Sequence, residues 1–312
     1  MSQRNALSLS ARFMALTQRL RLGQSASRVL HRASRLDLDF QPLPEEDVES
    51  IWWDEGLPLY QLISLSRGAL SGPVQEDKAP AYELLSQLIK TRQINYSSFD
   101  LRWINGVYTR HPAVSTVSAS SFEELAATPY CRRHVRIISY RDFEATLGQA
   151  LAGNRFSLQL REASWRGSRL FWYGDEQQVC AFAGAVAYAR LRGLEYLLPA
   201  ELTTYQLDPA AVETLGEAFH VLAVPSECWN ERGFVKLLID NAIPYARLTL
   251  PGHPEQLEWL LLPRQSPLSD ALGQGLKLAG APDLLVRLRQ IGAIPDERTP
   301  TAPLPPEESG GA

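Results

Sequence analysis

Arginine side chains are concentrated in the middle of this 312-residue chain, where they could bind an anion. Between residues 132 and 169 the arginines outnumber the carboxylates by eight to three; they are Arg132, Arg133, Arg136, Arg141, Arg155, Arg161, Arg166 and Arg169. The planar guanidinium forms paired hydrogen bonds with carboxylates and phosphates, so this block predicts an anion-binding surface. The ligand-binding candidates are Arg133, Arg136, Arg161, Arg166, Arg169 and Trp165, whose ring could stack on a base or a guanidinium. The alternative is a solvated face whose arginines pair with the acidic half of the chain.

A second candidate for chemistry is Cys228, which follows an apolar segment predicted to be a strand. The thiol would lie in the first turn of the next predicted helix, where the helix dipole lowers a thiol pKa and favours the nucleophilic thiolate. With His220 or His253 as its base, Cys228 would serve a cysteine-dependent hydrolase or transferase. The alternative is that Cys228 is a small buried apolar residue.

Motifs for the common cofactors and metals are absent from the sequence. It contains no glycine-rich phosphate loop, no G-x-S-x-G and no H-E-x-x-H. Cys131 and His134 stand three residues apart, but two ligands do not complete a tetrahedral zinc site. The sequence therefore predicts neither a cofactor nor a metal. The three cysteines are far apart and without a C-x-x-C motif, which favours reduced thiols in the cytoplasm over a disulfide framework.

The central arginines must be positioned by a predicted hairpin. Residues Phe156–Glu162 alternate between apolar and polar side chains, which is typical of a half-buried strand with Arg161 on its polar face. A five-residue loop carrying Trp165 and Arg166 joins it to a second strand, Ser168–Tyr173. Arg169 shares a face with Arg161 only if the register of the pair places them so. A neighbouring strand, His134–Tyr140, would bring Arg133 and Arg136 to the same surface.

The remaining elements predict an α+β fold with a mixed, partly antiparallel sheet and helices packed on it. The most apolar helix, Asp175–Arg192, is apolar on nearly all sides and therefore belongs in the interior. Phe219–Val224 is a near-continuous apolar run, typical of a central strand. Asn105-Gly106 predicts one hairpin turn, and Tyr245–Leu250 with Leu257–Leu262 predicts another. Further helices are predicted at 80–90, 121–127, 141–152, 209–218, 227–241, 267–279 and 283–290.

The two ends of the chain differ from its body. Residues 1–40 form a basic amphipathic helical segment, and 6–22 could attach peripherally to an anionic membrane, dock on a partner or pack on the body of the protein. The segment also has features of a transit peptide. Residues 41–292 are predicted to be a single α+β domain, most regular over 120–280. Residues 293–312 form a Pro/Gly-rich tail that predicts disorder.

The small net charge of -4 argues against a dedicated nucleic-acid coat, although it does not exclude nucleic acid as a ligand. No segment has the length and hydropathy of a transmembrane helix. The leading interpretation is a cytoplasmic, non-enzymatic binding protein whose arginine-rich hairpin contacts an anionic ligand or an acidic partner surface. The cysteine-dependent enzyme centred on Cys228 is the alternative.

Overall fold

The computed structural model describes residues 24–43, 49–55, 57–109, 111–114, 117–152, 157–167, 169–250 and 257–292. The amphipathic segment 6–22, His253 and the tail 293–312 lie outside these ranges, so the expectations for them stay predictions. No helix within the described ranges is long and apolar enough to cross a membrane.

The chain has the predicted α+β architecture, with helices, one antiparallel sheet and one mixed sheet among the described residues. The described strands are β1 Leu70–Ser71, β2 Ile89–Asp100, β3 Gly106–Val107, β4 Leu158–Ala163, β5 Phe171–Trp172, β6 Leu197–Leu207, β7 Phe219–Pro225, β8 Ala246–Thr249 and β9 Leu257–Pro263. The described helices are α1 24–33, α2 Gln75–Ser86, α3 Phe122–Ala127, α4 Pro129–His134, α5 Tyr140–Ala150, α6 Val179–Arg192, α7 Pro209–Ala218, α8 Arg232–Asp240, α9 Pro267–Leu278 and α10 Leu284–Gly292.

Backbone contacts divide the chain into two compact units. The first unit takes the described residues within Met1–Leu43, Gln61–Leu88 and Pro209–Gln290. The second unit takes those within Pro44–Tyr60, Ile89–Asp208 and Ile291–Ala312. Each unit contains its own sheet, because β1, β7, β8 and β9 belong to the first and β2–β6 to the second. The boundaries predicted at residues 40 and 292 stay predictions.

The first unit contains an antiparallel sheet in the order β1-β8-β9-β7. The pairing of β8 with β9 confirms the second predicted hairpin. Strand β7 is buried as its apolar run predicts, but among the described strands it lies at an edge of the sheet and not at its centre. Its outer edge is met by the segment before α10, where Ala223 N donates to the carbonyl of Pro282.

The second unit contains a mixed sheet in the order β2-β6-β4-β5-β3. Strand β4 runs parallel to β6 and antiparallel to β5, and β3 runs parallel to β5. Helix α6 supplies much of the core, as predicted, and its aromatic Phe182 stacks on Trp172 of β5 with ring centroids 4.0 Å apart. The helix ends at Gly193, which adopts the left-handed conformation (φ 61°) that a side chain would oppose.

Three local predictions were wrong. The Asn105-Gly106 hairpin is absent from the described chain: β3 instead pairs in parallel with β5, and a Cβ on Gly106 would lie only 2.3 Å from the carbonyl oxygen of Ile51. The predicted strand His134–Tyr140 is the end of α4, an extended connection and the start of α5. Strand β2 was missed because its start, Ile89, continued the apolar helical pattern of the preceding segment.

Candidate functional site

Strand β4 places Arg161 on the sheet of the second unit, as its alternating pattern predicts. Leu158 and Leu160 are buried on one face, while Arg161 is half-buried on the other. In the register, Arg161 lies opposite Phe171 of β5 and Thr203 of β6, so it has a strand on each side. The predicted hairpin is therefore confirmed, but the face that carries Arg161 is not simply solvated.

Tyrosines surround the guanidinium of Arg161. Its central carbon lies 4.1 Å from the ring centroid of Tyr173, 4.5 Å from that of Tyr108 and 5.7 Å from that of Tyr205. One guanidinium nitrogen, Nη1, donates a hydrogen bond to the Tyr205 hydroxyl. We call this group of four residues the Arg161 cage. Cation–π contacts of this kind stabilise a partly desolvated cation.

A second layer of aromatic rings holds the cage in place. The ring of Trp53 packs 5.4 Å from Tyr108 and 5.8 Å from Tyr205, and Tyr60 packs 5.8 Å from Tyr108. Tyr108 and Tyr173 are themselves in edge contact at 4.8 Å. Trp53 is almost fully buried, whereas Tyr173 is 42% exposed, so the cage has an inner wall and an outer side that solvent reaches.

Arg161 is the charged member of the cage. Among the residues that the structure describes, no carboxylate lies within ion-pair distance of Arg161. Burial, followed by the neighbouring Tyr60, raises the pKa of Tyr108, and burial raises the pKa of Tyr205 despite the opposing charge of Arg161. Both phenols therefore stay neutral at physiological pH.

The structure corrects the predicted exposure of Trp165 and Arg166. Both lie in the short 3-10 turn Ser164–Arg166 between β4 and β5, but Trp165 is buried and Arg166 is only 1% exposed. The Arg166 guanidinium donates to the backbone carbonyls of Ser50 (3.3 Å), Trp52 (2.8 Å) and Glu55 (3.0 Å). These bonds satisfy a buried segment of backbone, so Arg166 holds the fold and does not face a ligand.

The other predicted arginines are dispersed. The Arg169 guanidinium donates to the carbonyl of Asn105 and lies 5.9 Å from the ring of Phe171, which Arg166 also approaches at 5.4 Å. Arg133 and Arg136 are exposed on α4 and the connection after it, and no described contact joins them to Arg161. The hairpin thus places Arg161 opposite Phe171 in the register and the guanidinium groups of Arg166 and Arg169 near the Phe171 ring, but only Arg161 has its guanidinium in the cage.

The cage tyrosines were not predicted as site residues. They come from segments far apart in sequence, and no motif joins them. A partial signal was available, since Tyr173 is the last residue of the predicted strand Ser168–Tyr173 and Tyr205 lies in the segment that forms β6.

Comparison with known proteins gives one match. Residues 94–300, more than half of the chain, match a family of unknown function, DUF6685. The chain belongs to the DUF6685 family. The match includes all four residues of the Arg161 cage and leaves out Trp53 and Tyr60. No curated protein and no solved structure matches this DUF6685 chain.

Cys228 of this DUF6685 protein is buried in the first unit. Its residue is 2% exposed and lies in the 3-10 turn Ser226–Asn230, not in the first turn of an α-helix. Burial, with a smaller effect of Glu258, raises the pKa of the thiol to about 12. The thiol therefore stays protonated at neutral pH, whereas the predicted catalysis requires the thiolate. No hydrogen bond between Cys228 and a histidine is present among the described residues.

His220, the proposed base, has a different partner. Its Nε2 lies 2.7 Å from Oδ1 of Asp270, and Arg264 Nη1 lies 3.3 Å from the same nitrogen. Burial lowers the pKa of His220, and the hydrogen bond with Asp270 opposes that shift. The second proposed base, His253, lies outside the described residues. The geometry of the described chain therefore does not assemble a Cys228 dyad.

The structure also corrects the prediction of three reduced thiols. Cys131 of α4 and Cys180 of α6 form a disulfide across a sequence separation of 49, and Cys228 is free. The pairing depends on the packing of α4 against α6, which the spacing of the cysteines does not reveal.

The structure shows no group of three potential metal ligands within the described ranges.

Proposed function

We propose that this DUF6685 protein is a binding protein without catalytic activity that recognises an anionic group, a carboxylate or a phosphate, at the Arg161 cage. The observation that carries the proposal is a half-buried guanidinium with no carboxylate partner in the described part of the chain. The proposed ligand is still the anion expected from the arginine block, but the proposed binding site is now centred on Arg161 alone.

Guanidinium geometry supports this choice of ligand. An arginine has five N–H donors, and the described contacts of Arg161 use one of them, towards Tyr205. The remaining donors are arranged for paired hydrogen bonds with a carboxylate or a phosphate. The Tyr205 hydroxyl, which accepts from Arg161, keeps its own proton to donate, and the neutral phenols of Tyr108 and Tyr205 place no competing negative charge in the cage.

Partial burial makes the cage a stronger anion site than an exposed arginine. At a separation of about 4 Å, two unit charges attract by about 4 kcal/mol where the effective dielectric constant is about 20, compared with about 1 kcal/mol in bulk water. The tyrosine rings hold the guanidinium in one orientation, which reduces the side-chain entropy lost when a ligand binds. An anion would thus prefer Arg161 to the arginines that are fully exposed.

A cytoplasmic location is part of the same proposal. The disulfide between Cys131 and Cys180 removes the support that reduced cysteines would give to this location, because disulfides persist mainly in oxidising compartments. A cytoplasmic protein would carry it as a transient or redox-sensing bond. Fractionation of cells that express the full chain tests the location. Recovery of the protein outside the cytoplasmic fraction would contradict it.

The binding proposal is tested by titrating the full chain with inorganic phosphate and, separately, with citrate as a carboxylate probe. Trp53 packs on two of the cage tyrosines, so tryptophan fluorescence should change as the probe binds. We expect Arg161→Gln to weaken binding at least tenfold. Tyr205→Phe, which removes one hydroxyl and keeps the ring, should weaken it by a smaller factor. A rising salt concentration should also weaken it.

Arg232→Gln is the matched control, because it removes an exposed arginine from the first unit. It should leave the affinity for both probes unchanged. Binding of neither probe to the wild type at low salt would refute the small-anion proposal. Retention of the wild type on an acidic protein in that case, lost in Arg161→Gln, would point to an acidic partner surface as the ligand.

A further inference from the structure

Strand β2 forms a long sheet edge in the second unit. It has 12 residues and, among the described strands, pairs with β6 alone. The edge strands β1 and β3 have two residues each, and the outer edge of β7 is met by the segment that carries Pro282. An edge strand offers its unpaired N–H and C=O groups to another strand, and natural proteins usually shorten or cover such edges. Of the described edges, β2 is therefore the one best suited to pair with another chain.

Hydrogen bonds of β6 show which residues of β2 point outward. The N–H of Leu207 donates to Oγ of Ser164, which directly follows β4, at 3.2 Å, so it points away from β2. Opposite residues of an antiparallel pair point either towards each other or both away, and Ile89, opposite Leu207, therefore directs its backbone groups outward. The carbonyl of Arg92 accepts from Oγ1 of Thr204 in β6 at 3.3 Å, as this alternation requires. The next outward residues are Thr91, Gln93 and Asn95.

The outward positions of β2 are open. Within the described ranges, the outward backbone groups of Thr91, Gln93 and Asn95 have no hydrogen-bond partner. All three residues are exposed, so solvent reaches the middle of the edge. A lysine often keeps edge strands apart, but Lys90 forms an ion pair with Asp208 at 2.6 Å. A second strand thus finds unpaired donors and acceptors at three consecutive outward positions.

We propose that β2 pairs antiparallel with β2 of a second copy of this chain, with the two-fold axis at Gln93. Around this axis Gln93 faces Gln93 of the second copy, and Thr91 faces Asn95. Each facing pair exchanges two backbone hydrogen bonds, so the sheets of the two copies become continuous. The axis lies at the middle of the stretch Lys90–Tyr96, which pairs regularly with β6 before the register shifts. This inference does not depend on the proposed function.

Charge and length select this axis over its neighbours. An axis at Thr91 would set Lys90 opposite Arg92 of the second copy, and an axis at Arg92 would set the two Arg92 residues opposite each other; both arrangements are destabilising. An axis at Ile94 or Asn95 would carry the pairing into the irregular end of β2 and form fewer regular hydrogen bonds. In the proposed register Arg92 faces Ile94. The two Arg92 residues are then diagonal neighbours, about 7–8 Å apart, and their exposure allows the side chains to turn apart.

Sedimentation velocity of the full chain over a range of concentrations tests the dimer. We expect a species with twice the 34.8 kDa mass of the chain. Gln93→Pro removes the N–H at the axis and should raise the dimer dissociation constant at least tenfold. Proline is tolerated on an edge strand where the N–H faces away from the sheet. Gln93→Thr is the matched control, because it keeps the N–H, and it should dimerise as the wild type does.

Cysteine cross-linking tests the register and does not depend on the proline variant. Under mild oxidation Gln93→Cys should form a disulfide-linked dimer, because facing hydrogen-bonded residues have Cα atoms about 5.5 Å apart, within the range of a disulfide. Thr91→Cys and Asn95→Cys should each stay uncross-linked alone and should cross-link when the two variants are mixed. The wild type, in which the free Cys228 is buried, is the blank.

Three results would overturn the proposal. They are a wild type that is monomeric at every concentration, a folded Gln93→Pro that dimerises as tightly as the wild type, and Thr91→Cys that cross-links alone as fast as Gln93→Cys. Arg161→Gln should remain dimeric, so failure of the anion site and failure of the dimer are distinguishable.

Discussion

Replacing Arg166 should destabilise the protein far more than replacing any exposed arginine. The sequence alone places Arg166 in a surface turn, where a substitution usually costs less than about 0.5 kcal/mol. The structure instead buries it and directs its guanidinium at the carbonyls of Ser50, Trp52 and Glu55. Arg166→Met keeps much of the side-chain volume but removes every one of these donors.

The expected magnitude follows from the groups that the substitution leaves behind. A buried carbonyl without a donor costs roughly 1–3 kcal/mol, and neighbouring costs are not additive because water or a small backbone shift relieves part of them. A hydrogen bond from a charged donor contributes about 1.5–3 kcal/mol, and Arg166→Met removes three of them at once. We therefore expect Arg166→Met to lower the free energy of unfolding of the second unit by about 3–5 kcal/mol.

Urea unfolding followed by tryptophan fluorescence measures this loss, because Trp52 and Trp165 lie in the affected region. Arg133→Met is the matched control, since Arg133 is exposed and its replacement should change stability by less than about 0.5 kcal/mol. Arg166→Lys, which keeps a charge but fewer donors, should lie between the two. A loss of under about 1 kcal/mol in Arg166→Met would refute the structural role assigned to these hydrogen bonds.

Three further predictions concern the cysteines and His220. Reducing the Cys131–Cys180 disulfide, which closes a loop with a sequence separation of 49, should cost about 4 kcal/mol by chain entropy and lower the melting temperature measured by calorimetry. Cys228, whose pKa burial raises to about 12, should react with iodoacetamide at neutral pH only after unfolding, as followed by mass spectrometry. Burial lowers the pKa of His220 below 6.5, so the unfolded state binds a proton first as the pH falls and stability should decrease below pH 6.5. In urea titrations at several pH values, His220→Gln should flatten this dependence of stability on pH.

The opposite result in each experiment would contradict the corresponding prediction. An unchanged melting temperature after complete reduction would show that the disulfide does not constrain the unfolded chain. Fast, selective labelling of Cys228 in the folded protein would return the cysteine-dependent enzyme to consideration. A pH dependence that is the same in His220→Gln and the wild type would assign the slope to other groups.

Elements with a strong local pattern were predictable from the sequence. The alternation before Arg161 identifies β4, and the apolar residues after Asp175, together with Gly193, identify α6 and its end. The side of β4 that carries Arg161 was also correct, since a strand alternates with a period of two residues. The local sequence therefore determines on which face of a strand each residue lies, and this part of the candidate site could be predicted.

Features that depend on long-range packing were not predictable. Asn105-Gly106 has the composition of a hairpin turn, but the close approach of the Ile51 carbonyl gives Gly106 a packing role instead. The burial of Arg166 depends on backbone carbonyls more than a hundred residues earlier, which no local pattern indicates. The same holds for the cage, because Tyr108, Tyr173 and Tyr205 meet only once the strands of the second unit have paired.

The most direct test of the anion site is a calorimetric titration of inorganic phosphate into the full chain at low salt, with Arg161→Gln measured alongside. We expect the wild type to bind one phosphate per chain with an affinity that falls as salt is added, and Arg161→Gln to give no heat above dilution. Unfolding curves recorded for both proteins establish that the variant is folded. Equal binding by the two proteins, or no binding by the wild type of either phosphate or, in a parallel titration, citrate, would contradict the assignment of Arg161 as the residue that holds the anion.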